Sequence, residues 1–425
     1  MVIFLILDAF RSDYINKVDT PFLYGQIKKG LYCPKMKSSS GFTQRSSIFT
    51  GTYPRESDNF TMYTFDFQNS PYAFLKSKNI REYHSKSIFE KLPTTAGWGL
   101  IKDPFMRIHR RKNINNRLHI QKLANENAHH APISFIPYSL LPYIGISEDV
   151  KPIYEPKSLK NESIFDIFSE KKINFKYLMY PATDLNDDLV HVKTCIASKM
   201  DYDIILSQLS ECDEKIHYHG PSSLERRKII GEIDRKVRSI HNQAPKDTTW
   251  IIIGDHGMTD VKKIIDIQKI ILFEANELNM KFCEDYFYFL DSTMARILVL
   301  KNKSELEKKL KENKKLKSNG IFVDDSIAKK YDIPSPSDRY GNIIWWANSG
   351  TLIFPDFFHE TQMKGMHGYR PDEKDSEGFL LSFGKNIKNK ILENTELIDV
   401  CNLITGVLNL RSPIDSKGKS IIDEM

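Results

Sequence analysis

The segment Ile251-Ile252-Ile253-Gly254-Asp255-His256-Gly257-Met258-Thr259 constrains the fold more than any other. A run of β-branched residues with no polar alternation reads as a strand buried on both faces, which implies a parallel sheet covered by helices. The run ends at a glycine, and a carboxylate and an imidazole follow at once. In open α/β sheets, ligands collect beyond the carboxyl ends of the strands. An Asp-His pair delivered there, freed by flanking glycines, is a start towards a divalent-metal site. For this stretch alone, a strand ending in an ordinary polar turn is the alternative.

Composition allows a large core and excludes several classes. The chain has 425 residues, 40% of them hydrophobic, and large α/β enzymes of this length can form one unit. Its net charge of +6 comes from 61 Lys+Arg against 55 Asp+Glu. Charges of both signs are interspersed, which permits an anionic substrate but does not point to binding of a nucleic-acid duplex. The five cysteines (Cys33, Cys195, Cys212, Cys283 and Cys401) are scattered, odd in number and free of any C-x-x-C pair. A disulfide framework is therefore not expected, and a reducing, cytoplasmic compartment fits best. The apolar start Met1–Leu7 lacks a basic leader, is short and runs straight into Asp8, so it reads as a first core strand rather than a signal peptide. No run reaches the ~18 apolar residues of a membrane-spanning helix.

Strands and helices alternate along the chain. Strand 2–7 delivers Asp8, either a ligand or a helix cap. Residues 38–54 break structure with serines and Gly41, then turn helical from Gln44 to Phe49. Thr43 would sit at the first turn of that helix, where free N–H groups and the positive dipole end suit a phosphate. A hydroxyl held there can serve as a nucleophile if a metal lowers its pKa. Gln44 and Arg45 would hold the substrate's phosphoryl oxygens. The plainer alternative makes Thr43 an N-cap and leaves Arg45 solvated. Residues 94–150 show no clean period. They carry Arg107, His109, Arg110, Arg111 and Lys112, then an aromatic stretch to Tyr143, and read as an inserted cap or lid with His129 and His130 on its surface.

Further on, 162–170 reads as a helix and 175–180 as a strand. The loop carrying Asp184, Asp187, Asp188 and His191 is assigned a structural role. Strand 203–209 leads into Ser210–Pro221, where Asp213 and His217 are four apart, so that one helical turn lets them share a cation; His219 is out of phase. A helix is expected over 223–242 and a strand over 285–300. A solvated Lys/Glu-rich helix over 301–318 has pairs such as Glu305–Lys309. A strand carries Trp345 and Trp346. His367 stands in a loop between Gly365 and Gly368, a backbone freedom that a core histidine rarely needs. Strand 379–384 and helix 396–407 close the chain.

The candidates sort into two sets. Asp213, His217 and His367 form a three-ligand site with an open position; Asp8, Asp255, His256 and the Thr43 oxygen form another. Such N/O donor sets suit Zn²⁺, with Mn²⁺ or another transition ion also possible. Two ions roughly 4 Å apart can clamp an in-line phosphoryl transfer.

These segments resemble motifs of the type I phosphodiesterase/nucleotide pyrophosphatase family of the alkaline phosphatase superfamily. The resembling stretches are Asp8 after the first strand, Ser47-Ile48-Phe49-Thr50-Gly51-Thr52-Tyr53-Pro54, Asp213-x-x-x-His217-x-x-Gly220-Pro221, Gly254–Thr259 and Gly365-x-His367-Gly368-Tyr369. They follow the family's order and span most of the chain. The resemblance implies a doubly wound α/β sandwich with a mostly parallel sheet, helices on both faces, and residues 94–150 as its cap. It implies a nucleophile-side metal on Asp8, Asp255, His256 and Thr43, and a water-activating metal on Asp213, His217 and His367. In one respect the chain departs from the family. Common members place the nucleophile nine residues before the Thr of the Thr-Gly pair, and nine before Thr50 is Gly41. Thr43, seven before, is taken as the nucleophile, with Ser39 and Ser40 as alternatives.

The expected activity is two-metal hydrolysis of a phosphodiester or pyrophosphate bond in a small nucleotide-type substrate, through a phosphothreonyl intermediate. Arg45 and the helix amides would stabilise the equatorial oxygens. A sulfatase would need a Cys or Ser where none stands. A transferase differing only in its acceptor, and a catalytically silent metal-binding module, are the other readings.

Overall fold

Alternation of side chains along the first strand sets up the two faces of the molecule. Val2, Phe4 and Ile6 pack with one apolar cluster and Ile3, Leu5 and Leu7 with another, and all six residues of Val2–Leu7 are buried. The structure, a computed structural model, describes residues 1–77, 122, 133, 135–147, 151–180, 186–385 and 387–421. Val2–Leu7 runs parallel to Ile204–Leu209 on one side and Thr249–Gly254 on the other. Phe175–Leu178 extends the sheet beyond Ile204–Leu209, again in parallel. Past Thr249–Gly254 comes Gly378–Gly384, antiparallel to it and to Leu31–Lys37. Two short strands, Lys390–Ile391 and Thr395–Glu396, finish the far edge and complete eight strands.

Helices cover both faces, as a central sheet of continuous apolar strands requires. Helices Gln44–Thr50, Ile164–Lys171 and Asp399–Val407 contribute Phe49, Phe165 and Leu403 to one face. Helices Asp187–Ala197, Glu211–His219 and Glu225–Gln243 contribute Val190, Ile216 and Ile233 to the other. Burying one such side chain stabilises the fold by about 1.5–3 kcal/mol. The fold is the expected doubly wound α/β class, with one antiparallel strand let into its sheet.

Three segments differ from expectation. The polar stretch with Asp187, Asp188 and His191 is helical, started by the Asn186 side chain accepting the Leu189 N–H; Asp184 lies outside the described residues. The Asp187 carboxylate accepts the N–H groups of Ser210 and Glu211, at 2.7 and 3.0 Å. The expected strand 285–300 is a hairpin, Tyr286–Leu290 against Met294–Val299, within a second, four-stranded antiparallel sheet completed by Ile343–Ala347 and Gly320–Val323. Of the expected cap over 94–150, Ile144–Ile146 is a strand that pairs with Tyr63–Phe65, while the basic stretch and His129 and His130 lie outside the described residues. No described helix is long and apolar enough to cross a membrane.

Candidate active site

Parallel strands end at a common edge, and three of them carry the site. Asp8 follows Val2–Leu7, Ile204–Leu209 leads into helix Glu211–His219, and Asp255 follows Thr249–Gly254. Only glycine allows the first and last of these to meet. A β-carbon at Gly254 would lie 1.9 Å from the Phe10 carbonyl oxygen, so any side chain would force the two loops apart. With the loops together, the Ala9 N–H donates to Asp255 Oδ1 at 3.3 Å. Gln208 Nε2 donates to Asp8 Oδ2 at 2.7 Å, leaving Asp8 Oδ1 to face His256 Nε2 at 3.2 Å. Asp255 Oδ2 lies 3.8 Å from the same nitrogen.

The second set is assembled by one turn of helix and a two-residue strand. Asp213 and His217 share a side of helix Glu211–His219, with His217 Nε2 3.2 Å from Asp213 Oδ1. Gly365 and Met366 pair with Asp260 and Thr259, just past the Asp255-His256 turn. That pairing carries His367 into the site, with its Nε2 3.5 Å from Asp213 Oδ1. The His256 and His367 rings stack with centroids 4.2 Å apart and planes 26° from parallel, so the two sets are contiguous. Within each set the candidate ligand atoms all lie within 4.8 Å of one another.

Backbone carbonyls aim the imidazoles. His217 Nδ1 donates to Gly365 O at 2.8 Å and His256 Nδ1 to Gly257 O at 2.9 Å. A carbonyl only accepts, so each Nδ1 carries a proton and each Nε2 faces its carboxylates, the orientation metal-ligating histidines require.

The electrostatics show what the site lacks within the protein itself. Burial pushes the Asp255 carboxyl up to about 7, against the pull of His256. Burial opposes charge on His256, yet Asp255 and Asp8 hold the imidazolium up to about 10. Burial and the His256 charge drive His367 well down. Burial raises Asp213, but His217 and His367 outweigh it and hold the carboxyl low. Asp213 Oδ1 is buried without a hydrogen bond, between two imidazole nitrogens. An unsatisfied buried acceptor costs about 1–3 kcal/mol, more when charged. A cation would satisfy that oxygen and replace the protons that the carboxylates retain, so the donor set fits divalent metal.

The loop before helix Gln44–Thr50 departs from expectation. Thr43 is at the N-cap position, but its hydroxyl donates to Asn59 O at 2.8 Å and caps nothing. A small cavity of about 10 Å³ lies against His256 and His367; Ser38, Ser39, Gly41 and Gln44 line it, and Thr43 does not. Gln44 reaches the cavity but uses its amide to hold Ser39, accepting from its N–H at 3.0 Å and donating to its carbonyl at 3.1 Å. The Arg45 guanidinium donates to Tyr180 O, and Arg45 is not a cavity residue. The Thr43 hydroxyl, the expected nucleophile, is thus turned to the backbone of the next loop. Ser40 likewise donates to Tyr331 O. His219 is exposed at the end of its helix, as its phase predicts.

Two residues near the site were not singled out from sequence. Gln208, which orients Asp8, sits at the carboxyl end of its strand, a position that could have flagged it. His359 lies with its ring centroid 5.7 Å from that of His217, and its Nδ1 is 2.8 Å from Asp356 Oδ2. No local motif marks it.

A profile of the type I phosphodiesterase/nucleotide pyrophosphatase family matches residues 2–370, which include both carboxylate–imidazole sets. The chain belongs to this family. Phosphodiesterase/pyrophosphatase hydrolysis is accordingly its activity class. Among curated relatives in the family, it is 23% identical to the bis(5'-adenosyl)-triphosphatase ENPP4 of Bos taurus, over 95% of this chain and 77% of the relative. It is 21% identical to ectonucleotide pyrophosphatase/phosphodiesterase family member 5 of Homo sapiens, over 95% of this chain and 74% of the relative. The fold matches solved human ectonucleotide pyrophosphatase/phosphodiesterase 5 with a TM-score of 0.67 at 17% identity, covering 99% of this chain and 98% of that one. It matches an inactive form of the murine protein in complex with AMP at 0.65 and 16% identity, covering 98% and 97%.

Proposed function

We propose that Asp8, Asp255 and His256 hold one divalent ion and Asp213, His217 and His367 a second. The pair would serve hydrolysis of a phosphodiester or pyrophosphate bond in a nucleotide. The observation that carries this is the contiguity of two carboxylate–imidazole sets through the His256–His367 stack at the carboxyl edge of the sheet. When bound, such ions polarise phosphoryl oxygens and lower the pKa of water towards ~7. The chain's own residues position that chemistry. Gly257 and Gly365 carbonyls fix the ligand tautomers, Gln208 fixes Asp8, and Gln44 braces the loop that walls the cavity.

Oxygen and nitrogen donors without thiolate favour Zn²⁺, with Mn²⁺ second. A nucleotide substrate is supported by the bis(5'-adenosyl)-triphosphatase relative and by the AMP complex of a structural neighbour. All five cysteines are free, four of them buried, which suits a reducing compartment such as the cytoplasm. We read the chain as one catalytic domain, with 94–150 as an insertion.

Turnover of bis-p-nitrophenyl phosphate against p-nitrophenyl phosphate, in stripped and Zn²⁺-reloaded protein, tests the reading. Metal-dependent cleavage favouring the diester is expected. A preference for the monoester, or equal rates with and without metal, would refute it.

A further inference from the structure

We infer that the chain pairs with a second copy of itself across a two-fold axis at the edge of the central sheet, through helix Asp187–Ala197 and the turn that ends it. None of the residues concerned belongs to the site described above. The inner side of this helix is used by the core, into which Val190, Cys195 and Ala197 pack. Its outer side is apolar as well. Leu189, Val192, Ile196 and Met200 follow one another three to four residues apart, which sets them along one side of the helix. They are 38%, 50%, 58% and 55% exposed. The solvent side of a surface helix ordinarily carries polar residues, and a contiguous apolar patch marks a surface that another molecule covers.

The patch continues into the edge of the sheet. Ile196 and Met200 wall a groove of about 630 Å³, whose other walls include Tyr154, Phe175 and Tyr202. Phe175 opens the strand Phe175–Leu178, the last of the central sheet on this side among the described residues. An edge strand is where a sheet can be extended by another chain.

The distribution of charge identifies the occupant. Asp188 stands at the start of the exposed side and Lys199 at its end, with Val192 and Ile196 between them; all four are exposed. The face therefore reads acid, apolar, apolar, base. A copy laid antiparallel, about an axis beside Thr194, sets Asp188 against the partner's Lys199 and Val192 against the partner's Ile196. A parallel copy would set like charges together. Asp188 Oδ1 already meets Lys236 Nζ at 2.9 Å, but its side chain is 83% exposed and keeps Oδ2 for a second cation. An isologous interface uses one patch twice, so each of these contacts forms twice. The apolar stripe supplies the affinity and the end charges supply the register, since exposed ion pairs add little. The same rotation, about an axis perpendicular to the sheet, runs the two Phe175–Leu178 edges antiparallel beside each other.

The test is sedimentation equilibrium of the full-length protein over a concentration series. A reversible dimer is expected. Ile196→Glu and, separately, Met200→Glu should each raise its dissociation constant by at least about tenfold, the scale of losing a central interface contact, with an unchanged circular dichroism spectrum because both positions lie at the surface. Oxidative cross-linking reads the register. An equimolar mixture of Asp188→Cys and Lys199→Cys proteins should give a covalent dimer, and Lys199→Cys alone should give none beyond the wild-type background. A wild-type chain that stays monomeric throughout the series overturns the inference. So do glutamate variants that dimerise as the wild type does, or Lys199→Cys chains that link to themselves as readily as to Asp188→Cys.

Discussion

His367 depends on two backbone pairs. Because Met366 pairs with Thr259, the loop Gly365–Gly368 cannot drift from the Asp255-His256 turn, and the imidazoles stack. The carboxylates and imidazoles were legible at this scale. A carboxylate or histidine at a strand's end, or an Asp and His one helical turn apart, declares itself through spacing alone. The direction of the Thr43 hydroxyl was not legible, because it depends on the Asn59 carbonyl from a later loop. Two predictions belong here. In the metal-free protein His256 keeps its proton up to about 10, so cation uptake at neutral pH must expel it. Metal affinity should therefore rise with pH, and calorimetry in buffers of different ionisation enthalpy should show net proton release. Buffer-independent heats would contradict this. Gly41→Ala should destabilise by about 1–3 kcal/mol, from the strained φ and the collision with Phe60. A unchanged urea midpoint would show that the loop relaxes.

Among the elements, the hairpin of the second sheet is held by a buried ion pair. Arg296, fully buried in the strand Met294–Val299, donates to Asp291 Oδ2 at 2.6 Å and to Tyr63 O at 2.8 Å. Removing one partner of a buried pair costs about 3–5 kcal/mol. Asp291→Ala should lose that much by chemical denaturation, and pairing it with Arg296→Met should recover part of it. The hairpin that holds this pair was read as one strand, because Asp291-Ser292-Thr293 gives a weak turn signal between two apolar runs. Helix Asp187–Ala197 was missed for a related reason: its acidic start reads as loop until the Asn186 cap and the Ser210 and Glu211 partners are seen. Burial raises the Asp187 carboxyl from 3.8 to about 6. Between those values the folded chain holds a proton that the unfolded chain has released, so this group's contribution to stability falls as pH rises through that window. Asp187→Asn should remove that slope, and parallel urea titrations across the window would reveal it. Identical slopes would place the cause elsewhere.

For the whole molecule, the apolar strands implied the central sheet and its helical faces, and five motifs in order implied the family. The antiparallel insertion of Gly378–Gly384 between Thr249–Gly254 and Leu31–Lys37 was not legible, since a strand buried on both faces reads the same in either direction. Cations that bind only the folded chain add stability, about 2.7 kcal/mol per site at a hundredfold excess over Kd, so chelation should lower the thermal midpoint and Zn²⁺ should restore it. The most direct measurement is the metal content of the gel-filtered, Zn²⁺-loaded chain and of folded Asp255→Ala and His367→Ala variants, by inductively coupled plasma mass spectrometry. Two tightly held ions per wild-type chain are expected, as a two-metal site requires, with loss in each variant. A wild-type chain that retains none, or variants that retain both, would contradict the account.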